Sequence, residues 1–112
     1  MRIYTVFITI ALSLSEPIDE IWMMARFSTV IEKYFKVLGR CHHIFGRGAF
    51  TYMLILAESH AVIQTYPELN TAFITLEFHE ENNQHKIDDR ACADELVRNL
   101  GGVDYTTTKY AR

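Results

Sequence analysis

The chain has 112 residues, which is enough for one domain and too few for two, so a single domain over residues 1–112 is expected. Its 11 basic and 14 acidic residues give a net charge of −3, which excludes the basic surface typical of nucleic-acid-binding proteins. Hydrophobic residues make up 49% of the sequence, enough for a packed core. A domain this small still exposes much of its surface, which favours an oligomer.

An apolar segment over residues 3–14 consists mainly of β-branched and aromatic side chains. It is too short to span a membrane. Only Arg2 supplies charge before it, and no small-x-small cleavage site follows cleanly, which disfavours a signal peptide. The pattern favours a buried strand over residues 3–12 and predicts no membrane partner.

The next segment predicts a helix over residues 16–38. Ser15 is a suitable N-cap, and Pro17 fits the first turn. Apolar residues then recur at helical spacing until Gly39, which is expected to end the helix.

The middle of the chain predicts four short strands around tight connections. They cover residues 41–45, 50–56, 61–63 and 72–78, with a turn at Gly46-Arg47-Gly48. The fourth strand alternates, with Phe73, Thr75, Glu77 and His79 on one face and Ile74, Leu76 and Phe78 on the other. A polar loop over residues 80–86 follows.

The end of the chain predicts a second helix over residues 88–100, ended by Gly101 and Gly102, and a last strand over residues 103–110. This order of elements predicts an α+β fold, a two-layer sandwich in which two helices cover one face of a mostly antiparallel sheet. The other face of the sheet is then available to a partner sheet.

Three polar residues, Glu58-Ser59-His60, interrupt an apolar stretch of the sequence. Taken alone, the triplet is typical of a polar turn between two hairpin strands. It is followed, however, by Thr65-Tyr66-Pro67-Glu68 and preceded by His43-Ile44-Phe45. Together these elements resemble the processing site of the small bacterial and archaeal S-adenosylmethionine decarboxylases. The resemblance covers nearly the whole chain, but the specific motifs lie within residues 43–68.

The resemblance implies a protein that cleaves itself and makes its own cofactor. The Ser59 hydroxyl attacks the carbonyl of Glu58, and the peptide bond becomes an ester. Elimination then splits the chain and leaves a pyruvoyl group in place of Ser59. Its ketone condenses with a substrate amine and takes up the electrons released with carbon dioxide. His60 belongs to the same triplet and is predicted to be catalytic.

Further site residues follow from the resemblance one position at a time. Phe45 matches a phenylalanine that stacks on the adenine of the substrate, although a core aromatic is an equal alternative. Glu68 matches a glutamate that holds the ribose hydroxyls, although a carboxylate there also suits a basic side chain. Tyr66 lies in the same element as Glu68 and is predicted to bind substrate. Thr51 matches a serine that assists processing and keeps its hydroxyl.

Two departures from the family pattern concern proton transfer. Gln64 replaces a histidine that promotes the ester step, and an amide cannot take a proton near pH 7. His79 replaces the cysteine that protonates the product, and an imidazolium can do this work. In addition, Thr75 replaces an aspartate, and Glu77 adds a carboxylate that suits a cationic amino acid.

No metal is expected, because His79 and His85 have neither regular spacing nor a thiolate partner. Cys41 and Cys92 form no motif, and two reduced thiols in a cytoplasmic protein are favoured over a disulfide.

Three functions are therefore considered. The first is a self-processing S-adenosylmethionine decarboxylase of polyamine biosynthesis. The second is a pyruvoyl-dependent decarboxylase of ornithine or arginine, favoured by the changes at Gln64, Thr75, Glu77 and His79. The third is an unprocessed, non-catalytic relative, favoured by Gln64. Family members of this size also imply a homodimer with active sites shared between subunits.

Overall fold

The computed structural model describes residues 3–57, 59–81 and 88–111. Six strands and two α-helices follow one another along this part of the chain. They are β1 (Ile3–Leu14), α1 (Glu20–Tyr34), β2 (Val37–Gly46), β3 (Ala49–Leu56), β4 (Ser59–Tyr66), β5 (Thr71–Glu81), α2 (Asp89–Asn99) and β6 (Gly102–Ala111), with a short 3₁₀ turn at Pro67–Leu69. Neither of these α-helices is long and apolar enough to cross a membrane.

The six strands form one sheet in the order β2-β3-β4-β5-β1-β6. Every neighbouring pair is antiparallel. The first strand is therefore inserted between β5 and β6, which come from the end of the chain. Helix α1 packs on β2 and β3, whereas α2 packs on α1 and β6. The predicted α+β sandwich is confirmed.

The core lies between the helices and one face of the sheet. The alternation predicted for residues 72–78 is confirmed, because Ile74, Leu76 and Phe78 are fully buried. They pack in the same cluster as Phe27 of α1 and Leu96 of α2. We call the opposite side of the sheet the open face; on its two central strands it presents His60, Val62 and Gln64 of β4 and Phe73, Thr75, Glu77 and His79 of β5.

The predicted start of the first helix was wrong. Asp19, not Ser15, is the N-cap, and its carboxylate accepts a hydrogen bond from the backbone N–H of Trp22 at 3.0 Å. The carboxylate thereby satisfies one of the free N–H groups in the first turn. Residues 16–18, including Pro17, precede the helix.

The predicted end of this helix was also wrong. The helix stops at Tyr34, and Phe35 has extended backbone angles. Val37 begins β2 and pairs with Leu56, while Gly39 pairs with Ile55 inside the strand. Pairing with β3 therefore prevails over the helical spacing of residues 35–38, which is a weaker local preference.

Both cysteines are free thiols, as predicted. Cys41 is exposed on β2, whereas Cys92 is buried in α2. Burial raises the pKa of the Cys92 thiol to about 12. Cys92 is therefore a packing residue rather than a nucleophile.

Glu95 connects the two helices. It accepts hydrogen bonds from the Lys33 ammonium at 3.1 Å and from the Tyr34 hydroxyl at 3.0 Å. The Lys33 hydrogen bond is the main cause that lowers the pKa of the Glu95 carboxyl, and the Tyr34 hydroxyl adds to it. The charged form of Glu95 is thus favoured in the folded chain.

Replacing Glu95 with glutamine should lower the urea midpoint at neutral pH. Because folding lowers the pKa of Glu95, its contribution is present above the ordinary carboxyl pKa and disappears as the pH falls through the lowered value. The wild-type and Glu95→Gln midpoints should therefore converge below about pH 4. Glu32→Gln, which breaks a more exposed pair with Arg40, is the control and should change the midpoint less. A difference that is the same at pH 3 and pH 7 would contradict this role.

Candidate active site

Ser59 begins β4 directly after a tight hairpin. Leu56 pairs with Ser59, so only two residues join β3 to β4. One of them, Ala57, donates its N–H to the carbonyl of Lys36 at 3.0 Å. The other is Glu58, the predicted cleavage partner, which lies outside the described residues. Ser59 has a φ of 157°, a value that residues with a side chain rarely adopt.

Ser59 is the first member of a chain of polar contacts. Its hydroxyl lies 3.1 Å from Nδ1 of His60, and Nε2 of His60 lies 3.4 Å from Oε2 of Glu77. His60 and Glu77 are direct partners across β4 and β5. Both side chains are partly buried, with 36% and 29% exposure. The imidazole therefore touches the serine on one side and the carboxylate on the other.

His79 lies on the open face together with Thr75 and Glu77, as predicted. Its Nδ1 lies 3.1 Å from the hydroxyl of Thr5, its partner across β5 and β1. The ring is exposed, so its other nitrogen is accessible to a ligand. We call Ser59, His60, Glu77 and His79 the serine cluster.

A second group of predicted site residues surrounds an open pocket of about 340 Å³. Its predicted members are Phe45, Thr51, Gln64, Tyr66 and Glu68, which we call the pocket cluster. Phe45 is 68% exposed, so the alternative of a core aromatic was wrong. Its ring meets His43 edge to face, with centroids 4.6 Å apart. The Tyr66 hydroxyl donates to Oε1 of Gln64 at 3.0 Å.

Thr65 supports this pocket and was missed by the sequence analysis. Its buried hydroxyl donates to the carbonyl of Gly48 at 2.6 Å and accepts the N–H of Phe50 at 3.0 Å. These bonds fix the turn after Phe45 against β4. The sequence did contain a signal for this residue, since Thr65 is the first residue of the Thr-aromatic-Pro-Glu element. Its hydrogen-bond partners, however, follow only from the pairing of the strands.

The two clusters lie at opposite ends of β4. Ser59 and Gln64 are five residues apart on one strand, which corresponds to about 16 Å. Contacts join Ser59, His60 and Glu77, and one pocket joins the members of the pocket cluster, whereas His79 contacts Thr5 and the two clusters stay apart. Gln64 does not reach the hydroxyl of Ser59 within one subunit.

The residues around Ser59 fit a serine that becomes a prosthetic group. The hydroxyl has an imidazole within hydrogen-bond distance and sits where the backbone has an unusual conformation. Among the described residues, no group of three His, Cys, Asp or Glu side chains can hold a metal. His85, considered as a ligand from the sequence, is not among them.

The fold and this site define a small α+β protein with a candidate catalytic serine, and comparisons with known proteins give its family. The family model described as S-adenosylmethionine decarboxylase matches residues 24–112, so the chain belongs to that family. Among solved structures, it is similar to the adenosylmethionine decarboxylase from Aquifex aeolicus VF5, with a TM-score of 0.76 and 15% identity. The match covers 95% of this chain and 88% of the other. At this identity the likeness concerns the fold. The comparison with curated proteins gave no match.

Proposed function

We propose that the chain cleaves itself between Glu58 and Ser59 and that the processed protein decarboxylates S-adenosylmethionine. The observation that carries the proposal is the position of Ser59. In a member of this family, a serine with an unusual φ follows a tight hairpin, and its hydroxyl lies 3.1 Å from an imidazole. The pyruvoyl group formed there would supply the electron sink for decarboxylation.

The topology supports cleavage at this hairpin without loss of the fold. Residues 1–58 would contribute β1, α1, β2 and β3, and residues 59–112 the remaining elements. Because β1 is paired on both sides with strands of the second fragment, the two fragments hold each other in place. The pairing of β3 with β4 adds a further ladder. The cut protein is therefore expected to remain one folded unit.

Self-processing is tested by replacing Ser59 with alanine. The purified wild-type protein should show two masses, for residues 1–58 and 59–112, whereas Ser59→Ala should show one intact chain. The two wild-type fragments should elute together on gel filtration and separate only in denaturant. Gln64→His, which restores the family's basic group, should speed cleavage if a partner subunit brings this residue to Ser59, because the two lie about 16 Å apart within one chain. A Ser59→Ala protein that still splits at this bond would rule out attack by the serine.

A complete site requires a second subunit in our proposal. The serine cluster holds the reacting position, whereas the pocket cluster holds the residues that match substrate binding, about 16 Å away along β4. The open face carries exposed Phe73 and Ile55, and no described helix covers it. Two chains packed on their open faces about a twofold axis can place the pocket cluster of one opposite the serine cluster of the other.

Coexpression of two inactive variants tests this arrangement. Ser59→Ala lacks the reacting residue, and Glu68→Ala lacks a pocket carboxylate. In a mixed dimer, one of the two shared sites combines the intact Ser59 of one subunit with the intact Glu68 of the other. Coexpression should therefore restore part of the activity that neither variant has alone. Sedimentation should show a dimer at micromolar concentration. A monomer, or no restored activity in a proven mixed dimer, would contradict the shared site.

The substrate is proposed from the pocket cluster. Exposed Phe45 offers a ring for adenine, and Glu68 beside it offers a carboxylate for ribose hydroxyls. S-adenosylmethionine uses both, and its decarboxylation would supply polyamine synthesis.

The two free thiols suit a cytoplasmic location. Ornithine or arginine remains the second candidate, because Glu68 and Glu77 suit a basic side chain. Gln64 favours the unprocessed alternative.

His79 is proposed as the acid that protonates the product. Replacing it with alanine should reduce turnover about 10²–10⁴-fold, the usual contribution of a placed general acid, and His79→Cys should keep part of the activity. Thr5→Val, which removes only the hydrogen bond to Nδ1, should have a smaller effect. Carbon dioxide release is measured from S-adenosylmethionine, ornithine and arginine with fully processed protein. Unchanged turnover in His79→Ala would exclude the role, and no release from any of the three would exclude the decarboxylase.

A further inference from the structure

We infer that Glu77 is a positioning residue for self-processing. It orients His60 so that Nδ1 of this ring accepts the proton of the Ser59 hydroxyl. His60 thereby performs proton transfer that Gln64 cannot perform. The inference rests on the proposed self-cleavage and assigns Glu77 to this step rather than to the substrate.

The two contacts of His60 are compatible with a single neutral tautomer. An ionised Glu77 only accepts hydrogen bonds, so its position 3.4 Å from Nε2 favours the form of His60 that carries a hydrogen on this atom. Nδ1 then has a free lone pair, and the Ser59 hydroxyl lies 3.1 Å away. The carboxylate therefore selects the tautomer that can act as a base towards serine, as the third group does in a serine-histidine-acid arrangement.

Glu77 has no competitor for this contact among the described side chains nearby. The open-face residues of β3 next to β4 are Thr51, Met53 and Ile55, none of them charged. On β5, the next residue on this face is His79, which contacts Thr5 instead. Glu77 is thus the carboxylate that lies directly opposite His60 in the pairing of β4 with β5.

Gln64 is excluded from this role by its position and its chemistry. It lies about 16 Å from Ser59 along the same strand. Even a partner's Gln64 brought to the serine cannot take up a proton at neutral pH. His60 is adjacent to Ser59 in sequence, so the contact is present in every copy of the chain.

The proposed step conserves atoms and charge. The Ser59 hydroxyl passes its proton to Nδ1 of His60 while its oxygen bonds to the carbonyl carbon of Glu58. The bond from this carbon to the nitrogen of Ser59 then breaks. His60 returns the proton to the departing nitrogen, which leaves an ester, a free amine and a neutral imidazole.

The test follows cleavage of freshly translated chains by intact mass. His60→Ala and His60→Gln should slow cleavage about 10²–10⁴-fold. Glu77→Ala should slow it about 10–10²-fold, as expected for the partner that orients a histidine. Glu77→Gln should recover part of the rate, because its amide oxygen still accepts from Nε2. Thr75→Ala, one position along the same face of β5, should cleave like the wild type. Urea midpoints show whether each variant is folded.

A double-variant cycle separates this role from a structural one. If Glu77 acts through His60, then His60→Gln with Glu77→Ala should cleave no more slowly than His60→Gln alone. Additive losses, or wild-type cleavage in folded Glu77→Ala, would overturn the inference.

Hydroxylamine identifies the step affected, because it cleaves an ester once this has formed. It should not restore splitting in Glu77→Ala if ester formation itself is slow, and full restoration would overturn the inference. A wild-type chain that never splits contradicts the proposed function. A wild-type chain that splits while folded Glu77→Ala splits equally fast contradicts only the role of Glu77.

Discussion

The register between β4 and β5 determines where the candidate catalytic groups meet. Ser59 lies opposite Phe78, and His60 lies opposite Glu77. Since side chains alternate along a strand, a slip by one residue would turn Glu77 into the core and separate it from His60. The buried partners on the other face, such as Ala61 with Leu76, fix this register by packing. The polar contact therefore depends on the hydrophobic core below it.

The position of β1 imposes a second constraint. It lies between β5 and β6, two strands that follow the Glu58–Ser59 bond in the chain. This same strand places Thr5 beside His79. The serine cluster thus needs both parts of the chain. Ser59 and His79 come from the second part, and the hydroxyl that holds His79 comes from the first. The proposed cut after residue 58 would free the end at Ser59 without removing these supports.

The sequence predicted the sheet and its exposed face better than it predicted element boundaries and distances. Alternation over residues 72–78 identified the face that carries Glu77 and His79, because burial on one side of a strand leaves a period of two. The end of α1 was not predictable from local spacing, because Val37 is drawn into β2 by its pairing with Leu56. Gly39, which resembled a helix terminator, lies within that strand.

The motifs named the site residues but not how they divide into clusters. Ser59 and Gln64 belong to one motif, which suggests proximity, yet an extended strand places them far apart. The contact of His60 with Glu77 joins residues 17 positions apart and follows only from the register. The exposure of Phe45 depends on where β2 ends, at the edge of the sheet. Sequence patterns alone carry no information on these long-range relations.

The two departures from the family pattern, Gln64 and His79, concern two steps that would need very different rates, cleavage of the chain and turnover of substrate. In the proposed function, cleavage would occur once in the life of a chain, so a half-life of about one hour would suffice, whereas turnover at about 10 s⁻¹ would have to be sustained. These rates differ by about 5 × 10⁴, or about 6 kcal/mol in barrier height. The replacement of the family's histidine by Gln64 is therefore tolerable if His60 supplies a modest acceleration of cleavage. In the proposed enzyme, the acid of every turnover would have no such margin, and the residue at this position is a histidine, a side chain widely used as a general acid.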